Sequence, residues 1–317
     1  MEAAPLERDL GMVRRVGTEV AANIRSALQV REDVVELMMI ALIARGHVLI
    51  EDRPGVGKTA LARALARSVR ADFSRIQCTA DLLPADVVGA MVFNQREARF
   101  EFHSGPVFAN VVLVDEINRA SPKTQSGLLE AMQERGVTVE NETHELAQPF
   151  LIVATQNPVE FAGTYPLPEA QLDRFMIRVE LGYPEAEAEA EMLGAHAAGD
   201  VVLGLEPVVE LEEVVAAQTA ATSIHASPAL RRYVVSIAAE TRNDHRVELG
   251  ASPRAGLMLL QAALARAALR GRDHALPDDV QALAAPVLSH RLLLAPGSGE
   301  GARGQVVADA IEAVPAL

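Results

Sequence analysis

The 317-residue chain has a single cysteine, Cys78, no tryptophan, and only 3% aromatic residues. A lone cysteine excludes an intrachain disulfide and any zinc site built on cysteine pairs, and it fits a reducing compartment. Cys78 therefore reads as a small buried hydrophobe rather than a nucleophile. Few aromatics, with alanine, leucine and arginine abundant, favour helices over a β-sandwich. No apolar run reaches the ~18–20 residues that a membrane helix needs. Residues 1–17 are charged and lack the apolar centre of a secretion signal. A soluble cytoplasmic protein without direct membrane insertion is expected. Positive charge is also short: 29 Lys and Arg stand against 43 Asp and Glu, for a formal net charge of −14. That balance argues against nucleic acid or anionic lipid as a partner, a local basic pore aside.

What the chain does have is alternation. Residues 7–45 read as helical, with Val34, Val35, Leu37, Met38 and residues 40–43 forming a broad apolar face that ends at Gly46. The short apolar run His47-Val48-Leu49-Ile50 has the character of a buried parallel strand, and a helix over 59–69 follows it. Further apolar runs lie at 110–114, 150–154 and 176–181. Strands alternating with helices predict an α/β fold, a parallel sheet flanked by helices on both sides. Residues 90–104 and 137–146 break the rhythm and suggest two hairpins. Composition shifts at Gly182-Tyr183-Pro184, after which Glu185, Glu187, Glu189 and Glu191 suggest a helix start with carboxylates at its positive end. Beyond it, several helices separated by Ser227-Pro228, Ser252-Pro253 and Pro277 predict a second, all-helical domain. The expected division is 1–183 and 184–317, with a mobile glycine-rich tail over 296–304.

Between the first strand and its helix lies Asp52-Arg53-Pro54-Gly55-Val56-Gly57-Lys58-Thr59, followed by Ala60. The last glycine, lysine and threonine of the G-x-x-x-x-G-K-[ST] phosphate loop are present, and Asp52 replaces its first glycine. Gly55 and Gly57 let backbone N–H groups turn toward phosphate oxygens, Lys58 can neutralise the outer phosphates, and the Thr59 hydroxyl can bind Mg²⁺. Asp52 looks tolerable at a strand end, where the demand on its side chain is low. The strand Val111-Val112-Leu113-Val114 then ends in Asp115-Glu116: an acid to hold Mg²⁺ through its water shell, and one to orient an attacking water. A third apolar strand ends at Asn157-Pro158, which places an amide near the outer phosphate or simply marks a turn.

With these elements in order, the sequence resembles the AAA+ ATPases, and within them the MoxR family. The resemblance is carried by Val114-Asp115-Glu116-Ile117-Asn118-Arg119-Ala120 and Leu167-Pro168-Glu169-Ala170-Gln171-Leu172-Asp173-Arg174-Phe175. Asp81-Leu82-Leu83-Pro84 with Gly89, and Gly250-Ala251-Ser252-Pro253-Arg254-Ala255, agree with it. It implies a P-loop AAA+ core with a C-terminal helical lid, assembled as a homo-oligomeric, hexameric ring that hydrolyses ATP with Mg²⁺. It also implies roles: Asn157 as first sensor, Arg174 as the arginine finger reaching a neighbouring subunit's ATP, and Arg254 as second sensor on the lid. Read without the resemblance, Arg174 and Arg254 are arginines that pair with nearby acids or face solvent. Arg119 reads either as an intersubunit contact or as a salt bridge to a neighbouring acid. The family's Val-Gly-Gln stretch, on the adenine side of the pocket, is here Gln29-Val30-Arg31.

The function this implies is chaperone-like remodelling or maturation of a protein client, with von Willebrand factor A domain proteins as the clients the family suggests. Two rival readings remain at this stage: the ATPase subunit of a metal chelatase, and a nucleotide-gated scaffold with little turnover. The Glu-Ile-Asn-Arg-Ala wording favours the MoxR reading over the chelatase. Glu116 and Arg174 disfavour the scaffold, since a pure binder needs neither. The Gly-Ala-Phe-Thr-Gly-Ala loop of transcription-activating relatives is absent.

Overall fold

The computed structural model describes residues 5–157, 164–183, 187, 201–299 and 301–316. Two helices, α1 (Pro5–Ala27) and α2 (Glu32–Ile43), occupy the stretch read as helical and are separated at residues 28–31. Along α1, Val13, Val16, Val20 and Ile24 recur every three or four residues and are fully buried. Helix α2 is apolar nearly all round, because it packs against the sheet, α1 and the C-terminal helices at once.

In chain order there follow β1 (Val48–Glu51), α3 (Lys58–Ser68), β2 (Phe73–Gln77), α4 (Pro84–Val88), β3 (Gly89–Asn94), β4 (Arg99–Ser104), β5 (Val111–Asp115), α5 (Pro122–Glu134), β6 (Gly136–Val139), β7 (Glu142–Glu145), β8 (Leu151–Gln156), α6 (Glu169–Leu172) and β9 (Ile177–Val179). Five of the strands form one parallel sheet in the order β2-β5-β8-β1-β9. Burial on both faces explains the unbroken apolar runs of β1, β5 and β8. Strand β2 is not legible as an apolar run. It lies at the sheet edge, and of Phe73, Ser74, Arg75, Ile76 and Gln77 only Ile76 is buried. Cys78, just beyond it, is buried, and burial pushes its thiol up to about 12, with the charges of Asp115 and Glu116 adding to the shift. It packs as a hydrophobe.

The remaining core strands form two antiparallel hairpins, β3–β4 and β6–β7. Phe93 and Phe100 pack together near the exposed tip of the first, 5.2 Å between centroids. Phe102 stacks on His144 of the second at 3.9 Å. The base of the first hairpin is tight: a Cβ on Gly89 would lie 2.2 Å from the His103 carbonyl oxygen, and one on Gly105 2.3 Å from that of Val87.

The C-terminal part contains α7 (Leu211–Ala221), α8 (Pro228–Asn243), β10 (Val247–Leu249), α9 (Pro253–Leu269), α10 (Pro277–Leu288), β11 (Leu293–Leu294) and α11 (Ala302–Ala313). Ser227 and Ser252 cap α8 and α9 by accepting from the Leu230 and Ala255 amides, with proline at the first helical position. Of the glycine-rich stretch 296–304, residues 302–304 open α11, whose Val306, Val307 and Ala310 are buried in the helical part. The helix start expected at the alternating glutamates lies, Glu187 apart, outside the described residues. Among the described residues no helix is long and apolar enough to cross a membrane.

His47, immediately before β1, joins three elements. Its Nδ1 accepts from the Ile152 amide at 3.0 Å, and its Nε2 donates to the Met132 carbonyl at 3.1 Å. Complete burial, with nearby Arg135 adding to it, lowers its pKa from 6.5 to about 4. The folded state therefore favours the neutral ring. This contribution is fully present above about pH 6.5 and is lost as pH falls toward 4, on the order of 3 kcal/mol in all. Denaturant melts at pH 7.5 and 5.0 are expected to show a larger acid loss of stability in the wild type than in His47→Gln. Equal losses would contradict the assignment.

Candidate functional site

In a parallel sheet, the groups that leave the carboxyl ends of the strands gather where successive connections diverge. That point is β1, which has β8 on one side and β9 on the other, and the loop that leaves it is residues 52–57. Gly55 and Gly57 have φ of 86° and 89°, a backbone that side chains rarely adopt. The space where their Cβ atoms would stand is open. Gly57 precedes α3, whose first turn carries no acid. The loop thus presents backbone N–H groups and the positive end of a helix dipole, a cradle for anionic oxygens. Lys58 is half-buried and its Nζ donates to the Asp52 carbonyl. Desolvation lowers its pKa, opposed by the carboxylates of Asp52, Asp115 and Glu116.

Asp52 does more than occupy a strand end. Its carboxylate accepts from the Arg53 amide at 2.8 Å and from the Gly182 amide, just beyond β9, at 2.7 Å. The Arg53 guanidinium lies over the Tyr183 ring at 5.7 Å. Two successive loop residues are thereby tied to the segment that leads to the C-terminal helices.

Asp115 and Glu116 leave β5 beside this loop. Asp115 accepts from the Thr155 hydroxyl at 2.9 Å and from Arg75 Nε and Nη2 at 2.9 and 2.6 Å. The same Thr155 oxygen accepts from the Glu116 amide at 2.9 Å, so one buried hydroxyl on β8 orients both acids. Glu116, at φ 55°, accepts from Gln77 and Arg119 at 3.1 and 2.8 Å. Arg119 is thus in a salt bridge to its neighbouring acid. Asn157, largely buried, follows the end of β8. Thr59 and Asp115 offer hard oxygen donors. Among the described residues no cluster of three metal-ligating side chains occurs. This donor set fits Mg²⁺, which takes one or two protein oxygens and completes its shell with phosphate and water.

The structure groups Lys58, Asp115 and Glu116 and leaves Arg174 and Arg254 apart from them. Arg174 Nη1 donates to the Leu129 carbonyl on α5, while its buried Nε has no partner among the described residues. Arg254, in the first turn of α9, has no hydrogen bond or ion pair among the described residues. Sequence reasoning missed Arg75, Gln77, Thr155 and Asp52's side-chain role. Each acts through register or a chain-distant amide; the only local signal was that Arg75 and Gln77 alternate on one face of a polar strand. At the end of the Gln29-Val30-Arg31 stretch, Arg31 pairs with Asp33 at 2.8 Å and lines a cavity of about 550 Å³ between α2, β9 and α10. No phosphate-loop residue lines that cavity.

Residues 47–177 match the ATPase family associated with various cellular activities (AAA), and residues 239–312 match the AAA lid domain. The chain is 49% identical over 266 residues to the uncharacterised protein YeaC of Bacillus subtilis, covering 84% of this chain and 83% of that protein. It is 42% identical over 273 residues to the chaperone MoxR1 of Mycobacterium tuberculosis, covering 83% and 72%. A crystal structure from Cytophaga hutchinsonii, described as a candidate ATPase, superposes with a TM-score of 0.90 at 34% identity and covers 98% of both chains.

The roles of the loop residues separate in a binding titration with a fluorescent nucleotide. Lys58→Met is expected to weaken binding more than about tenfold, whereas Asp52→Ala stays within about tenfold (~1.4 kcal/mol). Asp52→Ala instead lowers the melting temperature by a few degrees, at about 2–4 °C per kcal/mol. An equal loss of affinity in both would mean that the Asp52 side chain shapes the cradle itself.

Proposed function

This chain belongs to the MoxR family of AAA+ ATPases, and on that premise we propose that it hydrolyses Mg²⁺-ATP in a ring of identical subunits and uses the cycle to remodel a protein client. The observation that carries the reading is the grouping of Lys58 at the start of α3 with Asp115 and Glu116, the two acids held by one Thr155 hydroxyl.

The backbone of residues 53–60 and Lys58 hold the phosphates. Thr59 and Asp115 would hold Mg²⁺, which would supply neutralising charge for the phosphate oxygens. Glu116 orients the attacking water, with Asn157 beside it. The Thr155 hydroxyl fixes the Glu116 backbone, and Gln77 and Arg119 hold its carboxylate. Arg174 stabilises the charge developing in the neighbouring subunit's site, on leaving the Leu129 carbonyl to which it donates. Arg254, without an ion pair among the described residues, closes on the nucleotide of its own subunit. Residues 1–183 then act as the nucleotide-binding core and 184–317 as the lid, in a hexameric cytoplasmic assembly.

A client role is supported by the name of the mycobacterial relative, a chaperone, and by exposed Val92, Phe93 and Phe100 on the β3–β4 hairpin. Proteins with von Willebrand factor A domains are the client class we propose.

An arginine supplied in trans is worth about 10³ to 10⁵ in rate, so Arg174→Ala is expected to release phosphate at least about 10³-fold more slowly than wild type. Glu116→Gln is expected to be comparably slow. Mixing these two inactive variants should recover activity, since a Glu116→Gln subunit can lend its Arg174 to a neighbour whose Glu116 is intact. A mixture as inactive as its components would overturn the trans assignment.

A further inference from the structure

At the opposite end of the sheet from the phosphate loop, two arginines stand beside the amino ends of β1 and β8. Arg45 lies in the turn between α2 and β1, and Arg135 ends α5 just before β6. Both have left-handed backbone, with φ of 56° and 51°. Arg135 Nη2 donates to the Arg45 carbonyl at 3.4 Å, which brings the two turns together. Arg45 Nη2 reaches the Thr219 hydroxyl on α7 at 3.3 Å. The adjacent Gln218 is buried and donates to the Leu42 carbonyl at 2.8 Å, which fixes α7 against this end of the core.

The chain has 43 acids for 29 lysines and arginines, so acidic partners are plentiful. Arg31, Arg246 and Arg272 each pair with one. Among the described residues, Arg45 and Arg135 pair with none; their side chains donate to a hydroxyl and a carbonyl instead. Arg45 Nε is buried and has no partner among the described residues. Burial lowers the pKa of Arg135 and the positive charge of Arg45 adds to the shift, with no carboxylate opposing them. Like charges in partly desolvated surroundings repel unless a negative charge joins them. The orphaned donor and the uncompensated charge call for the same thing, an anionic acceptor.

The space available limits its size. Arg45, Arg135, Gln148, Pro149, Phe150 and Gln218 line a cavity of about 10 Å³, room for one water-sized sphere. Nucleotides and phosphate are too large for it, and a single-atom anion is close to its size. The lining offers N–H donors and an apolar wall, and no carboxylate that would repel an anion.

We propose that Arg45 and Arg135 hold a small monovalent inorganic anion, chloride, at the amino end of the sheet, with Arg45 Nε as one of its donors. This site is separate from the phosphate cradle and does not depend on the nucleotide roles proposed above. The anion joins the α2–β1 turn to the end of α5 and, through Arg45 and Thr219, to α7. It acts as a staple between the sheet and the C-terminal helices, and its occupancy sets stability rather than chemistry.

The test is thermal melting of the full chain at constant ionic strength, with chloride replacing gluconate, an anion too large for the cavity. Raising chloride from about 1 to about 200 mM is expected to raise the wild-type melting temperature by roughly 2–4 °C. Arg135→Gln, which removes one of the two charges, loses most of that gain, and Arg135→Lys keeps part of it. The gap between wild type and Arg135→Gln therefore widens as chloride rises, whereas a merely structural arginine would leave it constant. Lys58→Met, which disables the phosphate cradle, keeps the full gain. Crystals of the wild type grown with bromide in place of chloride need no variant, and should show an anomalous peak within hydrogen-bond distance of Arg45 Nε. An equal gain in Arg135→Gln, a gain abolished by Lys58→Met, or no bromide peak between the two arginines would overturn the proposal. A bromide peak with no melting response marks an adventitious ion only and overturns it too. Should Arg135→Gln fail to fold, the wild-type, Lys58→Met and bromide measurements decide.

Discussion

Strand β1 hydrogen-bonds in parallel to β8 on one side and to β9 on the other, and the rest of the molecule depends on that double pairing. It brings three chain-distant termini to one edge of the sheet: the loop after Glu51, the end of β8 with Thr155 and Asn157, and the exit of β9 at Gly182. The pairing of β8 with β5 then adds Asp115 and Glu116. Strands β1, β5 and β8 are apolar along most of their length, and their polar residues concentrate at the carboxyl end. The interior thus needs no buried charge to assemble the site, and a residue with a chemical role can be polar without weakening the core.

That distribution decides what could be read from the chain. The strands buried on both faces were visible as unbroken apolar runs, and the phosphate loop and the Asp115-Glu116 pair were visible because each is local in sequence. The edge strand β2 was not, since a strand with one exposed flank has no need of an apolar run, and its Arg75 and Gln77 reach the acids only through register. Thr155 was hidden for the opposite reason: it sits inside an apolar run, and nothing nearby in sequence marks a hydroxyl that serves residues 39 and 40 positions away. Asp52 read as a tolerated departure from a glycine pattern, yet its acceptor capacity is used by an amide 130 positions on. Local chemistry was legible; contacts made by topology were not.

The C-terminal helices do not simply hang from the core. Helices α1 and α2 pack against α7 and α9, and one apolar cluster runs from the sheet through both N-terminal helices into the helical part. At roughly 1.5–3 kcal/mol for each large side chain buried, such a cluster holds the two parts in a small number of well-packed arrangements rather than a continuum. A polar junction of Asp173, Ser252 and Arg291 lies at this boundary.

The tight base of the β3–β4 hairpin has a mechanical consequence. With Gly89 and Gly105 in direct backbone contact with their neighbours, the hairpin has no slack where it joins α4. Six paired residues per strand make an arm of about 20 Å. The Phe102–His144 stack braces that arm against the second hairpin part-way along its length. A stiff arm on a close-fitting pivot converts angle into distance: a tilt of about 10° at the base carries the Phe93–Phe100 tip some 3–4 Å, by the same arm length. The hairpin is built as a lever, and its gain is set by two residues that have no side chains.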